Sequence, residues 1–186
     1  VGTGLYLTDG DPFNVSTPNG DLMNVFAKSV NTVEDLPTQC KDGYVVLVKN
    51  SDADEDDYWV KFLGENGRDG PGAWEECAEP GITTSFDAAT MPYVLTRTGA
   101  TTMTLKQYSW ANREVGDNNT NKVPSFVDNK ISKLLFHRDR LAVLSGSNLI
   151  LSQPGNLGNF WNKTALTFSG IDRIDLSCSS SSPNAL

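Results

Sequence analysis

Gly116-Asp117-Asn118-Asn119-Thr120-Asn121-Lys122-Val123-Pro124-Ser125-Phe126 opens the stretch that decides the fold; Phe136-His137-Arg138-Asp139-Arg140-Leu141 and Leu144-Ser145-Gly146-Ser147-Asn148-Leu149-Ile150-Leu151-Ser152 complete it. The opening run is a loop. Asp and Asn side chains accept backbone hydrogen bonds in turns, and Pro124 fixes φ just before Ser125 and Phe126. The two later runs read as short strands with tight turns at Arg138-Asp139 and at Ser145-Gly146-Ser147-Asn148. Strand, turn, strand, turn, strand is the order of a propeller-type blade, and residues from about Pro124 to Ser177 carry it. A whole propeller needs roughly four such blades or more. The expectation is therefore a fragment of a longer chain.

The same punctuation continues outward. Trp110 and Arg113 precede the loop. Tyr93 to Arg97 reads as a strand whose hairpin partner is Thr102 to Gln107, across Gly99-Ala100. Nearer the N-terminus, Tyr44 to Val48 reads as a strand buried on both faces, and Tyr58 to Phe62 as its alternating partner. An acidic turn of Asp52, Asp54, Glu55, Asp56 and Asp57 joins them. The Gly-rich run Gly64 to Gly72 then turns into Trp74-Glu75-Glu76. Thr32 to Pro37 reads as one helical turn, with Thr32 as cap, Asp35 facing back and Pro37 as the stop. Asn19-Gly20 is a hairpin turn signal because both residues tolerate positive φ. Heptads, helical stripes and tandem repeats are absent from the sequence. The predicted class is mainly β, built of antiparallel hairpins, with helix below the globular average of about 30–35%. Two regions are expected: hairpins over residues 1–115 and propeller-like blade strands over 116–186, incomplete at the C-terminus.

Composition bounds the function. With 186 residues, 38% hydrophobic and 20% charged, the chain can bury a core in one domain or two small ones. Its formal net charge of −8 argues against gripping nucleic acid by its phosphates, which needs clustered Lys and Arg. A signal-peptide pattern is missing, and no apolar run approaches the ~20 residues that span a bilayer. Cys40, Cys77 and Cys178 are odd in number and widely spaced, so a reduced compartment is the default and a disulfide framework is not expected.

Each chemical candidate has a plainer structural reading. The acids of 52–57 have a calcium-loop spacing, but Asp57 stands where Gly is needed and Leu63 where the bidentate Glu is needed. A solvated hairpin tip that guards an edge is the better reading. Gly64, Gly67, Gly70 and Gly72 lack the spacing, the Lys-Ser/Thr and the helix of a phosphate loop. Three cysteines and one histidine do not make a zinc set. His137, the lone histidine, alternates with apolar residues, and no carboxylate pair stands out for glycoside cleavage. The Asn-x-Ser/Thr triplets at Asn14, Asn118 and Asn162 would be chance matches in a protein made in bacteria. No catalytic residue, metal site or cofactor is expected.

The quoted runs resemble the tail tubular protein B family, the nozzle of short-tailed bacteriophages. Members carry Gly-Asp-Asp-x-Thr-Asn, then Pro-Ser-Phe, an aromatic pair before Arg-x-Arg-Leu, and Leu-Ser-x-x-Asn. The matching positions here are Gly116, Asp117, Thr120, Asn121, Pro124, Ser125, Phe126, Phe136, Arg138, Arg140, Leu141, Ser145 and Asn148. Upstream, Gly43-Tyr44, Tyr58 to Phe62, Trp74 and Met91-Pro92 follow the family's order. The resemblance runs from about Gly43 to Ser180. Family members have an aromatic where His137 stands, which implies half-buried packing for it; Phe126 and Phe136 are expected as core anchors. Arg138 and Arg140 are expected to share a face and pair with carboxylates, of the 116–126 loop in preference to a neighbouring subunit.

The resemblance implies a structural role in the virion tail, after synthesis in the host cytoplasm. The chain would form a six-fold ring with itself, below a portal adaptor similar to tail tubular protein A. It would extend the DNA channel and dock the tail fibre protein. Phage DNA would pass through the lumen without specific binding, and this segment would not insert into a membrane. Two other readings stay open on composition: a tail-associated glycan-degrading enzyme, and a carbohydrate-binding β module using Trp59, Trp74, Trp110 and Trp161.

Overall fold

The computed structural model describes residues 6–7, 15–18, 25–49 and 57–178. The Asn19-Gly20 turn and acids 52–56 of the acidic turn lie outside the described residues. The chain is mainly β and divides into two compact units, Val1–Pro80 and Gly81–Leu186.

The N-terminal unit holds one five-stranded sheet. Its strands are β1 (Ser29–Val30), β2 (Gln39–Cys40), β3 (Val45–Val48), β4 (Tyr58–Gly64) and β5 (Gly70–Cys77), in the spatial order β1-β3-β4-β5-β2. The predicted β3–β4 hairpin is present, with Val46 opposite Val60. In β4, Val60 and Phe62 point inward while Lys61 and Leu63 point out, as a half-buried strand requires. β3 differs from its expected burial on both faces: Val46 and Val48 are buried but Val45 and Leu47 only half so. An antiparallel sheet needs a core on one face only.

Val30, Val46, Val48 and Val60 form that core, with Phe26, Leu36, Tyr44, Tyr58 and Trp74 packed around it. Trp74 Nε1 donates to the Pro37 carbonyl at 2.8 Å, which ties down the turn before it. That turn is the 3-10 helix Val33–Asp35. Thr32 precedes it in extended conformation but makes no side-chain capping bond, contrary to expectation. Three residues of 3-10 helix leave little for a cap to stabilise. Leu36 is extended, as a residue before proline prefers. Between β4 and β5 the chain reverses through the 3-10 turn Glu65–Gly67. A Cβ on Gly64 would lie 1.8 Å from the Arg68 carbonyl oxygen, so only glycine admits this reversal.

The C-terminal unit holds a ribbon and a sheet. The predicted hairpin forms the ribbon, β6 (Tyr93–Arg97) against β7 (Met103–Gln107). The sheet is an antiparallel meander of β8 (Ile131–His137), β9 (Arg140–Ser145), β10 (Asn148–Leu151) and β11 (Ile174–Ser177). Both turns fall where the sequence put them. Arg138 and Asp139 make the first with φ of +46° and +62°, the handedness that a two-residue hairpin favours.

β9 is buried at every position because it is central and covered on both faces. Val143 lies opposite Ile150, and together with Met91, Phe126, Leu141 and Phe160 they make the core of this unit. Phe126 is 2% exposed, the anchor it was expected to be. Phe136 is not: it is 74% exposed, and His137 beside it is exposed as well. After Ile131, β8 is exposed on both faces, so its apolar residues have no covering layer among the described residues. Phe86, Met91 and Trp110, grouped by sequence with the N-terminal hairpins, pack in or against the core of the C-terminal unit. Phe86 stacks on Trp161 with ring centroids 4.9 Å apart.

Candidate functional site

The 116–126 loop folds around Asp117. Its Oδ1 accepts the N–H groups of Asn119 and Thr120 at 2.7 and 2.9 Å and the Thr120 hydroxyl at 3.1 Å. Thr120 Oγ1 in turn accepts the Asp117 N–H. Burial pushes the Asp117 carboxyl up, but these donors and the nearby Arg113 charge outweigh it and hold the pKa below the ordinary carboxylate range. Gly116 sits at φ +77°, and a Cβ there would meet Thr120 Oγ1 at 2.8 Å.

The next residue reaches across the unit. Asn121 is fully buried; its Nδ2 donates to the carbonyls of Val115 and Asn162, and its Oδ1 accepts the Asn162 N–H. Asn162 returns a bond from Nδ2 to the Thr120 carbonyl at 3.0 Å. Two segments about 41 residues apart are thereby stitched through three hydrogen bonds, while the bond to Val115 stays within the loop. Further on, Ser125 donates both its N–H and its hydroxyl to Asp175 on β11, at 2.9 and 2.7 Å.

A second buried centre lies at the start of β9. Arg140 donates from Nη1 to the carbonyls of Ser152 and Asp172, and from Nη2 to that of Gly170. The expected pairing of Arg138 and Arg140 on a shared face is therefore corrected. Arg138 is an exposed turn residue; Arg140 is buried and donates to main-chain carbonyls of the returning segment. Asp172, itself buried, accepts the N–H groups of Lys163 and Ser169. Ser145 donates to the Lys130 carbonyl, and Leu141 is buried in β9.

The sequence-derived residues thus separate. Gly116, Asp117, Thr120, Asn121, Pro124, Ser125 and Phe126 come together; Arg140, Leu141 and Ser145 line the neighbouring strand. Phe136, Arg138 and Asn148 stand apart at the edge and turns. Arg113, Ser152, Trp161, Asn162 and Asp172 were not singled out as parts of this centre. A polar residue flanking an apolar run, as in Phe160-Trp161-Asn162 or Ile150-Leu151-Ser152, was the available signal.

Trp74, Trp110 and Trp161 serve packing. Trp161 is 1% exposed, donates Nε1 to the Ala111 carbonyl, and carries the Arg113 guanidinium 4.8 Å from its ring. Trp110 lies against Tyr108 and Phe160, and Trp74 against Phe62. Among the described residues, no cluster of His, Cys, Asp or Glu is arranged to hold a metal ion. Nor, among them, is any helix long and apolar enough to cross a membrane.

Buried polar groups that bond one another across distant segments, around small antiparallel sheets, define a mainly β protein whose polar interior fixes where its loops lie. The chain belongs to the bacteriophage nozzle protein family, whose model matches residues 6–186. It is similar to the tail tubular protein gp12 of Escherichia phage T7, with 30% identity over 159 residues, which are 85% of this chain and 19% of that protein. The chain thus spans about one fifth of the length of that curated relative.

Proposed function

We propose that the chain is a subunit of the tail nozzle ring, which extends the DNA channel below the portal adaptor and carries docking sites for tail fibres. The observation that supports this most is the family match along nearly the whole chain. The stitched loop suits it: a ring under internal DNA pressure needs units whose distant segments cannot slide. Six copies would meet in interfaces on the order of 2,000 Å² or more, as obligate assemblies do. DNA would pass through the lumen without being bound by sequence. A reconstruction of the assembled tail tests this. Six copies around the axis below the adaptor are expected; finding the chain outside the tail, or off its axis, would refute the reading.

A further inference from the structure

We propose that the cleft formed by residues 112–114 and the 153–163 connection binds a neutral sugar ring through its hydroxyl groups. The inference is separate from the ring reading above and stands or falls without it. The cleft holds about 330 Å³, at the small end of ligand sites. Its first support is a clamp. Gln153 Nε2 donates to the Trp161 carbonyl at 2.9 Å, and Asn159 Oδ1 accepts the Trp161 N–H at 3.0 Å. A carbonyl can only accept and an N–H only donate, so the orientation of both amides is fixed. The Gln153 N–H also donates to the Asn159 carbonyl at 2.8 Å, which ties the two residues together. The ends left over are an acceptor, Gln153 Oε1, and a donor, Asn159 Nδ2, on two residues that line the cleft. A donor and an acceptor already held in place lose little freedom on binding.

The rest of the lining suits the same ligand. Asn112, Glu114 and Lys163 are exposed, and their side chains make no hydrogen bond or ion pair among the described residues. Glu114 accepts, Lys163 donates and Asn112 does both. One negative and one positive group leave the cleft neutral. Asn162, also in the lining, is 4% exposed, yet its Oδ1 has no hydrogen-bond partner among the described residues. A buried acceptor left over in a native fold calls for a donor from water or a ligand. Hydroxyl groups meet this mixture because each one both donates and accepts. The Trp161 ring is 1% exposed and already carries the Arg113 guanidinium, so it offers no stacking platform. Hydrogen bonds to the ligand replace hydrogen bonds to water and gain little net, so the affinity should be millimolar.

The test uses the protein at its natural length and saturation-transfer NMR, which reads weak binding to large particles. The probes are methyl α-D-glucopyranoside, methyl α-D-galactopyranoside and N-acetylglucosamine, with glycine as a zwitterionic control. Saturation of the ring protons of at least one sugar is expected, and none of glycine. The paired variant Asn112→Ala with Glu114→Gln alters two exposed side chains that hold nothing in the fold. It should melt as the natural protein does and bind that sugar about tenfold more weakly. Lys163→Gln gives a second reading at a third exposed position, with the same direction expected. Transfer to none of the three sugars overturns the assignment, as it would if the rest of the longer chain fills the cleft. Transfer to glycine in place of the sugars overturns it too. So does sugar binding unchanged in both variants, which would put the sugar elsewhere on the protein. None of these outcomes bears on whether the tail holds the ring.

Discussion

Asn121 uses both amide hydrogens and its carbonyl inside the protein, all toward main chain. Asn121→Ala would strand the Val115 carbonyl and both polar groups of the Asn162 peptide. Each buried orphan costs about 1–3 kcal/mol, so a loss of about 3–5 kcal/mol is expected in denaturant unfolding. A loss under about 1 kcal/mol would mean that water replaces the amide. Asp117 gives a pH signature. Its folded pKa lies below the unfolded value of about 3.9. Its contribution is therefore complete above that value and fades as pH falls through the folded pKa. Asp117→Asn should be less stable than the natural chain at neutral pH, and the gap should close in acid. A gap unchanged between pH 7 and pH 2, by the same unfolding measurement, would show that the charge is irrelevant. Both residues were legible as turn chemistry. The partner of Asn121 was not, because 41 residues separate it from Asn162 and neither side carries a spacing signal.

At the scale of elements, the hairpins were readable and their burial was not. Turn residues and alternation located β3–β4, β6–β7 and β8–β9–β10. Alternation also pointed Phe136 inward, yet whether a strand face is covered depends on what packs over it, and β8 is an edge. Phe126→Ala should cost ~3–5 kcal/mol, whereas Phe136→Ala should change stability by less than about 0.5 kcal/mol; equal losses in thermal unfolding would contradict the burial seen. The β8–β9 turn is built from two residues that dislike positive φ, Arg138 and Asp139. Arg138→Asn with Asp139→Gly keeps the turn and relieves both. A gain of up to about 1 kcal/mol is expected. The Gly155 N–H, which bonds the Asp139 carbonyl, would be unaffected. A destabilised double variant would imply that the Arg138 or Asp139 side chain makes a contact that matters.

For the whole molecule, charge decides whether duplex DNA would adhere to it. The sequence displayed a net charge of −8 and a pI near 4.5, but its uneven division became visible only once contacts assigned residues to units. Non-specific DNA affinity comes almost entirely from cations that displace phosphate counterions. In the C-terminal unit several cations are already committed. Arg140 is buried against carbonyls, Arg113 lies over Trp161, and Arg173 is held against Asp175. The small positive balance of that unit is therefore a poor phosphate surface, and the N-terminal unit repels DNA outright. A channel wall has the same requirement, since DNA must slide past it without sticking. The chain should show no measurable binding to duplex DNA near physiological salt, and fluorescence anisotropy of a labelled duplex would check this. Micromolar affinity that falls steeply with salt would contradict it. So would an Arg- and Lys-lined lumen in the assembled tail.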